Sequence, residues 1–291
     1  MPNLELQHKR DLSPFRRIAI GTWETTYDPS VYGKLTLRME RALAYRDAYR
    51  AATGKRLTVT HMMAKAVGAV LADMPDANAI LRFNRIYLRK RIGVFLQVVL
   101  TDPQTGQIDL SGTTVYDPEQ KSLADIIDEL ERRVERVRAD RDRRFRSSRG
   151  MFRRVPSLLL NRVMKAVSWL SYTANLDLRW AGVPRDPFGS VMITNIGSIG
   201  LSEAYVPLVP YSRVPLVIAM GAVEDQPVVD GGAVVPGKVM AVNATFDHRV
   251  LDGAHAARMA RTLRAWMEDP FAHFDPLPAD SRAGAAGSSP A

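Results

Sequence analysis

The sequence predicts an α/β protein, because segments of two different periodicities alternate along its 291 residues. Runs rich in β-branched and aromatic residues indicate strands, and runs with apolar residues at helical spacing indicate helices. A hydrophobic content of 46% is ample for a sizeable core. The chain shows no internal repeat with a period of about 20–50 residues. Its length fits either two average domains or one large domain of sheet and helices.

The first half of the chain is predicted to contain two helices followed by strands. Residues 1–34 are predicted to be irregular, with 18–20 as a short strand or entry segment. A helix over about 36–52 ends at Gly54, and a second over 61–71 is capped by Thr60 and ends near Pro75. Strands are predicted over 86–88, 92–100 and 109–116, with turns at Asp102-Pro103 and Thr105-Gly106.

The second half begins with a long amphipathic helix from Ser122, whose apolar stripe consists of Leu123, Ile126, Ile127, Leu130, Val134 and Val137. The apolar segment 158–170 carries Asn161, Arg162, Lys165 and Ser168 on one narrow side, which predicts a buried or an interfacial helix. Strands are then predicted over 190–195, 216–223, 228–229 and 239–246, a helix over 253–267, and a disordered tail over 275–291.

The composition excludes several kinds of chemistry. The chain has no cysteine, so a disulfide framework, a cysteine nucleophile and thiolate metal sites are excluded. The N-terminus resembles no signal peptide, and no charge-free apolar run approaches the roughly 18 residues that span a bilayer. A cytoplasmic location is therefore expected.

The positive charge is concentrated in one segment. The whole chain has a net charge of +9, and residues 132–154 alone hold eleven arginines and three acidic residues, a net charge of +8. Such a local basic face indicates phosphates, an anionic lipid surface or an acidic partner. Nucleic acid is disfavoured, because this segment has no lysine and offers two stacking aromatics, Phe145 and Phe152.

Two residues four apart carry the chemistry that the sequence suggests. His248 is one of five histidines and lies between a predicted strand and a predicted helix, and Asp252 follows it at i+4. An imidazole there fits a general base acting on a thiol or hydroxyl, with the carboxylate ordering the loop. For an isolated His-x-x-x-Asp pattern, a helix-capping aspartate beside a hydrogen-bonded histidine is the simpler explanation. No metal ligation is predicted for His8, His61, His255 or His273.

The residues around this pair favour the first interpretation. The segment Asp247-His248-Arg249-Val250-Leu251-Asp252-Gly253-Ala254 closely resembles the active-site motif of the E2 acyltransferases of 2-oxoacid dehydrogenase complexes, which share a fold with chloramphenicol acetyltransferase. Residues 191–197, Val-Met-Ile-Thr-Asn-Ile-Gly, resemble the strand of that family that ends in Ser-Asn-Leu-Gly. Weaker resemblances are found at 215–221 and 57–71. The resemblance is strong over 188–270 and weak over 16–120.

This resemblance implies roles for individual residues. His248 would be the general base, and Thr194 would supply the hydroxyl that stabilises the tetrahedral oxyanion, unless it is an ordinary strand threonine. Asp252 would be held by an arginine from the start of the domain, for which Arg16 and Arg17 are the candidates, unless these two are a solvated surface pair. Asn195 and Gly253 would support the site.

The resemblance also implies an architecture and a reaction. It implies one chloramphenicol-acetyltransferase-like α/β domain over 1–274, with a mixed sheet flanked by helices, in a homotrimer or multiple of trimers with active sites between subunits. The reaction would be acyl transfer of the EC 2.3.1 type between coenzyme A and a dihydrolipoyl-type thiol or another acceptor, without a covalently bound cofactor. Any lipoyl group would come from another protein.

The chain departs from the family pattern at about 138–180, where an insertion of about 40 residues is predicted. One hypothesis is that this insertion and the arginine-rich residues 132–154 dock on an anionic membrane or a lipidic acyl substrate. The alternative is a solvated arginine helix followed by a helix buried at a subunit interface. The competing hypothesis for the whole chain is a non-catalytic trimeric scaffold that uses an E2-like core.

Overall fold

The computed structural model describes residues 2–10, 29–101, 108–139 and 157–278, and the account that follows concerns these residues. The strands are β1 Leu6–His8, β2 Ser30–Arg38, β3 Ala79–Arg82, β4 Arg85–Arg89, β5 Gly93–Thr101, β6 Ile108–Tyr116, β7 Val191–Asn195, β8 Leu216–Asp230 and β9 Ala233–Asp247. The helices are α1 Glu40–Thr53, α2 Val59–Asp73, α3 Leu123–Ala139, α4 Ser157–Ser168, α5 Gly253–Glu268 and α6 Pro270–His273.

Six of these strands form a mixed sheet in the order β2-β9-β8-β7-β5-β6. Strand β7 runs parallel to both β5 and β8, and the remaining pairs in this sheet are antiparallel. A second, antiparallel sheet has the order β1-β4-β3. The predicted fold class, an α/β fold with a mixed sheet flanked by helices, is confirmed.

The hydrophobic core lies between the large sheet and the helices α1, α2, α3 and α5. Alternate residues of the strands point into it, such as Val94 and Leu96 of β5 and Ile193 of β7. The stripe predicted for α3 is confirmed where its side chains are described, because Leu123, Ile126, Ile127 and Leu130 are all buried. The core therefore packs against one side of the sheet, and polar residues lie at the ends of β7 and β9.

The structure corrects the predicted elements near the N-terminal end. Residues 36–38, predicted to begin a helix, belong to β2, and residues 30–34, predicted to be irregular, belong to it as well. Strand β2 pairs with β9 over its whole length, from Ser30 opposite Asp247 to Arg38 opposite Val239. The helix starts at Glu40 because tertiary pairing overrides the helical propensity of the preceding residues.

Two further element boundaries differ from the prediction. Thr58, and not Thr60, caps α2, because its hydroxyl accepts from the backbone N–H of His61 and the His61 side chain accepts from the backbone of Thr58. The predicted strands 216–223 and 228–229 are one strand, β8, which joins β9 through Gly231 and Gly232. Both glycines have positive φ, 54° and 86°, as a two-residue hairpin turn with the right twist requires.

The predicted disordered tail begins too early. Asp275 is tied to the core, since its backbone carbonyl accepts from the Tyr45 hydroxyl at 2.6 Å and its carboxylate accepts from the backbone N–H of Leu123 at 2.5 Å. Leu277 packs against the core as well. Residues 279–291 lie outside the described residues, as do 18–20 and the turns predicted within 102–107.

The segment from α4 to β7 is anchored to the small sheet. Arg89 at the end of β4 donates to Asp186 at 2.7 Å, and both side chains are largely buried. Asn175 forms hydrogen bonds with Leu4, and Tyr172 packs with Leu4 and Ile80. Helix α4 itself is not buried, since none of its described apolar side chains belongs to the core.

Candidate active site at the end of strand β9

A tight turn follows β9, and a buried ion pair fixes its shape. The carboxylate of Asp247 accepts from the Arg249 backbone N–H at 3.0 Å and, through both oxygens, from the guanidinium of Arg249 at 3.0 and 2.7 Å. The carbonyl of Asp247 accepts from the backbone N–H groups of Val250 and Leu251 at 2.9 Å. A bidentate pair of this kind is both strong and geometrically restrictive, so the residue between the two partners has a defined orientation.

That residue is His248. Its backbone N–H donates to the carbonyl of Pro29 at 2.7 Å, and its ring atom Nδ1 lies 2.8 Å from the carbonyl oxygen of Leu251. Because a carbonyl oxygen can only accept, Nδ1 carries the proton and the lone pair of the neutral ring lies on Nε2. The half-buried imidazole is therefore held in the tautomer that a general base acting through Nε2 requires.

Asp252 begins the next helix. It is the N-cap of α5, and its Oδ1 accepts from the backbone N–H groups of Ala254 and His255 at 3.0 and 3.1 Å. The Nδ1 atom of His255 lies 2.6 Å from the same oxygen. The hydrogen bonds among the described residues include none between the side chains of His248 and Asp252. Asp252 therefore fixes the start of the helix that follows the histidine turn.

Thr194 occupies the end of β7 and is 9% exposed. The next residue, Asn195, donates through Nδ2 to the Thr60 hydroxyl at 3.1 Å and accepts at Oδ1 from the Ser198 backbone at 3.0 Å. These contacts join the end of β7 to the first turn of α2. A Cβ at Gly197 would lie 2.6 Å from backbone atoms of β8, so this close turn requires glycine.

The strand register shows that Thr194 and His248 of one chain are far apart. Thr194 pairs with Ala219 of β8, and Ala219 pairs with Asn243 of β9. His248 is five residues beyond Asn243, and two strand spacings separate β7 from β9. At about 3.4 Å per residue and 4.8 Å per strand, the separation is on the order of 15–20 Å. The two residues cannot act on one substrate atom within a single chain.

The structure brings together some of the predicted site residues and leaves others apart. His248 and Asp252 lie on one turn, and Thr194 and Asn195 lie at the end of another strand. A Cβ at Gly253 would meet no atom within 4 Å, so nothing in the described chain requires glycine there. Arg16 and Arg17 lie outside the described residues.

Three residues with clear roles in the turn or at the start of α5 were not assigned those roles from the sequence. Asp247 and Arg249 flank His248, and the ion pair between them orients it. The sequence Asp-His-Arg, with opposite charges on either side of the histidine, could have indicated this pair. His255 stands three residues after the N-cap Asp252, as His61 stands three residues after the N-cap Thr58. Both histidines take the place of the glutamate or glutamine of a capping box, and this spacing could have identified them.

A second arginine, Arg213, lies close enough to Arg249 for their charges to interact. Burial, followed by the neighbouring guanidinium of Arg249, lowers the pKa of Arg213.

Among the described residues, no group of three or more acidic or histidine side chains could hold a metal ion. Within the same residues, the helices are too short or too polar to cross a bilayer.

A half-buried histidine of fixed tautomer, at the end of a strand in a mixed sheet, is a candidate general base. The chain belongs to the family of 2-oxoacid dehydrogenases acyltransferase (catalytic domain), whose profile matches residues 8–151 and 188–274. Residues 152–187 lie outside the match and overlap the predicted insertion.

Curated relatives agree with this family. The chain is 22% identical over 219 residues to the dihydrolipoyllysine-residue acetyltransferase component of the acetoin cleaving system of Bacillus subtilis, covering 75% of this chain and 43% of that protein. It is 37% identical over 119 residues to the lipoamide acyltransferase component of the mitochondrial branched-chain α-keto acid dehydrogenase complex of Arabidopsis thaliana, covering 40% and 23%. The chain thus spans less than half the length of these relatives.

Solved structures share the fold. A probable dihydrolipoamide acetyltransferase from Listeria monocytogenes superposes with a TM-score of 0.63 at 14% identity, covering 94% of this chain and 99% of that one. The dihydrolipoamide acetyltransferase of Azotobacter vinelandii superposes with a TM-score of 0.61 at 21% identity, covering 91% and 93%. At these identities the likeness establishes the fold.

Proposed function

We propose that this protein transfers an acyl group between coenzyme A and the thiol of a dihydrolipoyl group. Family membership supports this reaction, and the curated relatives are dihydrolipoyllysine and lipoamide acyltransferases by name. The observation that carries the proposal is the hydrogen bond from Nδ1 of His248 to the Leu251 carbonyl, which leaves the ring lone pair on Nε2.

The reaction needs a base and an oxyanion donor. Nε2 of His248 accepts the proton of the attacking thiol, and the resulting thiolate attacks the carbonyl carbon of the thioester. The Thr194 hydroxyl donates to the oxyanion of the tetrahedral intermediate. When the intermediate collapses, the carbon–sulfur bond to the leaving thiol breaks, and that sulfur takes the proton from the imidazolium. Acyl transfer is direct, with no acyl-enzyme and no bound cofactor.

This mechanism requires two copies of the chain. Since Thr194 and His248 of one copy are on the order of 15–20 Å apart, the histidine of one copy must meet the threonine of another. A closed ring in which each copy offers its β9 turn to the β7 end of its neighbour satisfies this requirement at every site. We propose a homotrimer, or a multiple of trimers, with the active sites between subunits.

The acyl acceptor in this proposal is a dihydrolipoyl group carried on a lipoyl domain and presented in trans. Free dihydrolipoamide is its simplest substitute. A comparison of free dihydrolipoamide with an added lipoylated domain tests the carrier separately from the chemistry.

The test is the release of coenzyme A thiol from a panel of acyl-CoAs, with dihydrolipoamide, simple amines and alcohols as acceptors. His248→Ala should abolish turnover with dihydrolipoamide, whereas His273→Ala, which removes an exposed histidine at the end of α6, should leave it unchanged. Turnover that survives in His248→Ala contradicts the proposed base. No turnover together with no binding of coenzyme A would favour the non-catalytic scaffold.

A further inference from the structure

A cavity of about 190 Å³ lies between the N-terminal residues, the ends of β4 and β6, and the segment that precedes β7. Arg89 and Asp186 line it, and their ion pair at 2.7 Å is largely buried. The other polar residues that line the cavity are Asn3, Glu5, Arg91, Tyr116 and Arg185. Because Arg185 and Asp186 belong to the segment 152–187 that the family profile does not match, this cavity is additional to the features that define the family.

Several buried polar atoms around this ion pair have no hydrogen-bond partner within the described chain. They are Nε and Nη2 of Arg89, Oγ of Ser171, the hydroxyl oxygen of Tyr172 and Oδ1 of Asp186. All four residues are 9% exposed or less. A buried polar group without a partner is costly, so a folded protein usually satisfies it with water or a ligand. Four such residues at one place therefore indicate a bound polar species.

Ser171 and Tyr172 lie close to the ion pair. The Asn3 side chain connects them to it, because Nδ2 of Asn3 donates to the Ser171 carbonyl at 3.0 Å and Oδ1 accepts from the Asp186 backbone N–H at 3.2 Å. Burial, followed by the nearby charge of Asp186, raises the pKa of Tyr172, so this phenol keeps its proton. The unpaired hydroxyl of Tyr172 is therefore available as a donor beside the ion pair.

The unpaired groups are mostly donors. Arg89 offers N–H groups on two nitrogens, and Ser171 and Tyr172 each offer a hydroxyl, whereas Asp186 offers one acceptor oxygen. Arg185 adds an exposed guanidinium whose Nε donates to the Asn3 carbonyl at 2.8 Å and which has no carboxylate partner among the described residues. A ligand that satisfies this set is rich in acceptor oxygens and carries a proton of its own.

We propose that this cavity binds a phosphate group that carries a proton. The phosphate oxygens accept from the guanidinium groups of Arg89 and Arg185 and from the Tyr172 hydroxyl. The P–O–H group donates to Oδ1 of Asp186. Inorganic phosphate carries such a proton near neutral pH, and a phosphate monoester carries it in part.

The acidic groups of the cavity distinguish this ligand from other oxyanions. Arg91 is already paired with Asp117 at 2.6 Å, and Glu5 lines the cavity as well, so the positive and negative charges nearly balance. Sulfate has no proton at neutral pH, and it would meet the Asp186 carboxylate with like charge and without a hydrogen bond. Acetate has two oxygens, which are too few for the unpaired donors. Both anions should bind at least about tenfold more weakly than phosphate.

Isothermal titration calorimetry of the full-length protein tests this proposal. The probes are inorganic phosphate, sulfate and acetate, each titrated at one ionic strength in a buffer free of phosphate. Tyr172→Phe and Arg185→Gln should each weaken phosphate binding by about tenfold, since each removes a donor to a charged ligand. Tyr205→Phe and Arg261→Gln, which change exposed residues outside the cavity, should leave the affinity unchanged.

Thermal unfolding separates a binding role of Tyr172 from a structural one. Without phosphate, Tyr172→Phe should be as stable as the wild type or slightly more stable, because it removes an unpaired buried hydroxyl. Phosphate should raise the Tm of the wild type and raise that of the variant much less.

Two compounds offer a phosphate group that carries a proton here, inorganic phosphate and coenzyme A through its 3′-phosphate. Competition with inorganic phosphate by coenzyme A and not by dephospho-coenzyme A assigns the site to the 3′-phosphate. Competition by neither assigns it to inorganic phosphate, and both results support the proposal. Equal competition by both compounds would assign the site to the diphosphate, which carries no such proton, and would overturn the proposal.

Three further results would overturn it. No binding of inorganic phosphate would leave the cavity to water alone. Sulfate and acetate binding as tightly as phosphate would indicate a general attraction of anions. Phosphate binding that neither Tyr172→Phe nor Arg185→Gln weakens would place the bound phosphate elsewhere on the protein. These titrations involve no acyl transfer, so failure of the phosphate site and failure of the proposed reaction are distinguishable.

Discussion

Thr194 is the residue at which this chain departs most informatively from the motif that it resembles. A threonine keeps the hydroxyl of a serine and adds a methyl group on the same carbon, and β-branching restricts its side chain to fewer rotamers. At the end of β7 the residue is 9% exposed, so its orientation is set by the surrounding strands. In the proposed trimer, the hydroxyl contributes to catalysis only in the rotamer that points out of the sheet toward the neighbouring copy.

Thr194→Val should lower kcat by about 10²–10³, because it removes the oxyanion donor and keeps the shape of the side chain. Thr194→Ser should retain activity, since the donor remains. Steady-state kinetics with acyl-CoA and dihydrolipoamide measure both variants, and KM should change much less than kcat.

A second strand threonine provides the control for Thr194→Val. Thr245 of β9 is 1% exposed, and among the described residues its hydroxyl has no hydrogen-bond partner. Thr245→Val should therefore leave kcat unchanged and raise the stability slightly, because it removes a buried unsatisfied polar group. Equal kinetics for Thr194→Val and the wild type would contradict the assignment of Thr194.

Helix α2 connects the candidate site to the pH dependence of stability. The side chain of His61 completes the capping box that Thr58 begins at the start of this helix. Burial, followed by the charges of Arg50 and Arg56, lowers the pKa of His61 from 6.5 to about 4. The folded protein thus keeps His61 neutral at a pH where the unfolded chain binds a proton. The stabilisation that the lowered pKa of His61 gives the folded protein is fully present above pH 6.5, and it is lost as the pH falls from 6.5 toward 4.

His61→Gln should make the protein less sensitive to acid. Glutamine can still close the capping box with Thr58 but does not titrate. The wild type should lose about 2 kcal/mol more than the variant between pH 7 and pH 5. Urea unfolding at both pH values and one protein concentration measures this difference, with His273→Gln as the control for removing a histidine. Parallel losses in wild type and His61→Gln would exclude His61 as the acid-sensitive group.

The elements that could be predicted from the sequence are those with strong local signals. The apolar stripe of α3 and the β-branched runs of β5 and β6 can be recognised from the periodicity of the sequence. Strand β2 could not be identified in this way, because its partner β9 lies some 200 residues later in the chain and local propensity does not report such pairing. The capping histidines were missed for a different reason, since histidine is an unusual third residue in a capping box.

The sequence identified candidate site residues but not the contacts that orient them. The sequence places His248 and Asp252 four residues apart, and the helix-capping aspartate offered as the simpler explanation of that spacing describes its geometry, because Asp252 caps α5 and contacts His255. The residues that fix His248 are Asp247, Arg249 and the carbonyl of Leu251. Backbone carbonyls carry no sequence signature, so the atom that determines the tautomer is visible in the structure alone.

At the scale of the whole molecule, the separation of Thr194 and His248 makes the proposed activity a property of the assembly. In the proposed trimer, each site draws its base from one copy and its oxyanion donor from another. A chain with His248→Ala still offers a functional Thr194, and a chain with Thr194→Val still offers a functional His248. In a closed ring of mixed composition, some sites therefore combine the two intact residues.

Mixing the two impaired variants should restore activity. If His248→Ala and Thr194→Val subunits are unfolded, mixed in equal amounts and reassembled, about a quarter of the sites pair an intact histidine with an intact threonine. The acyl-transfer rate should then approach about a quarter of the wild-type rate, whereas each variant reassembled alone should stay at its own low rate. A mixture that stays at the average of the two variants would show that one chain supplies both residues, which the strand register does not allow without a different arrangement of β7 and β9.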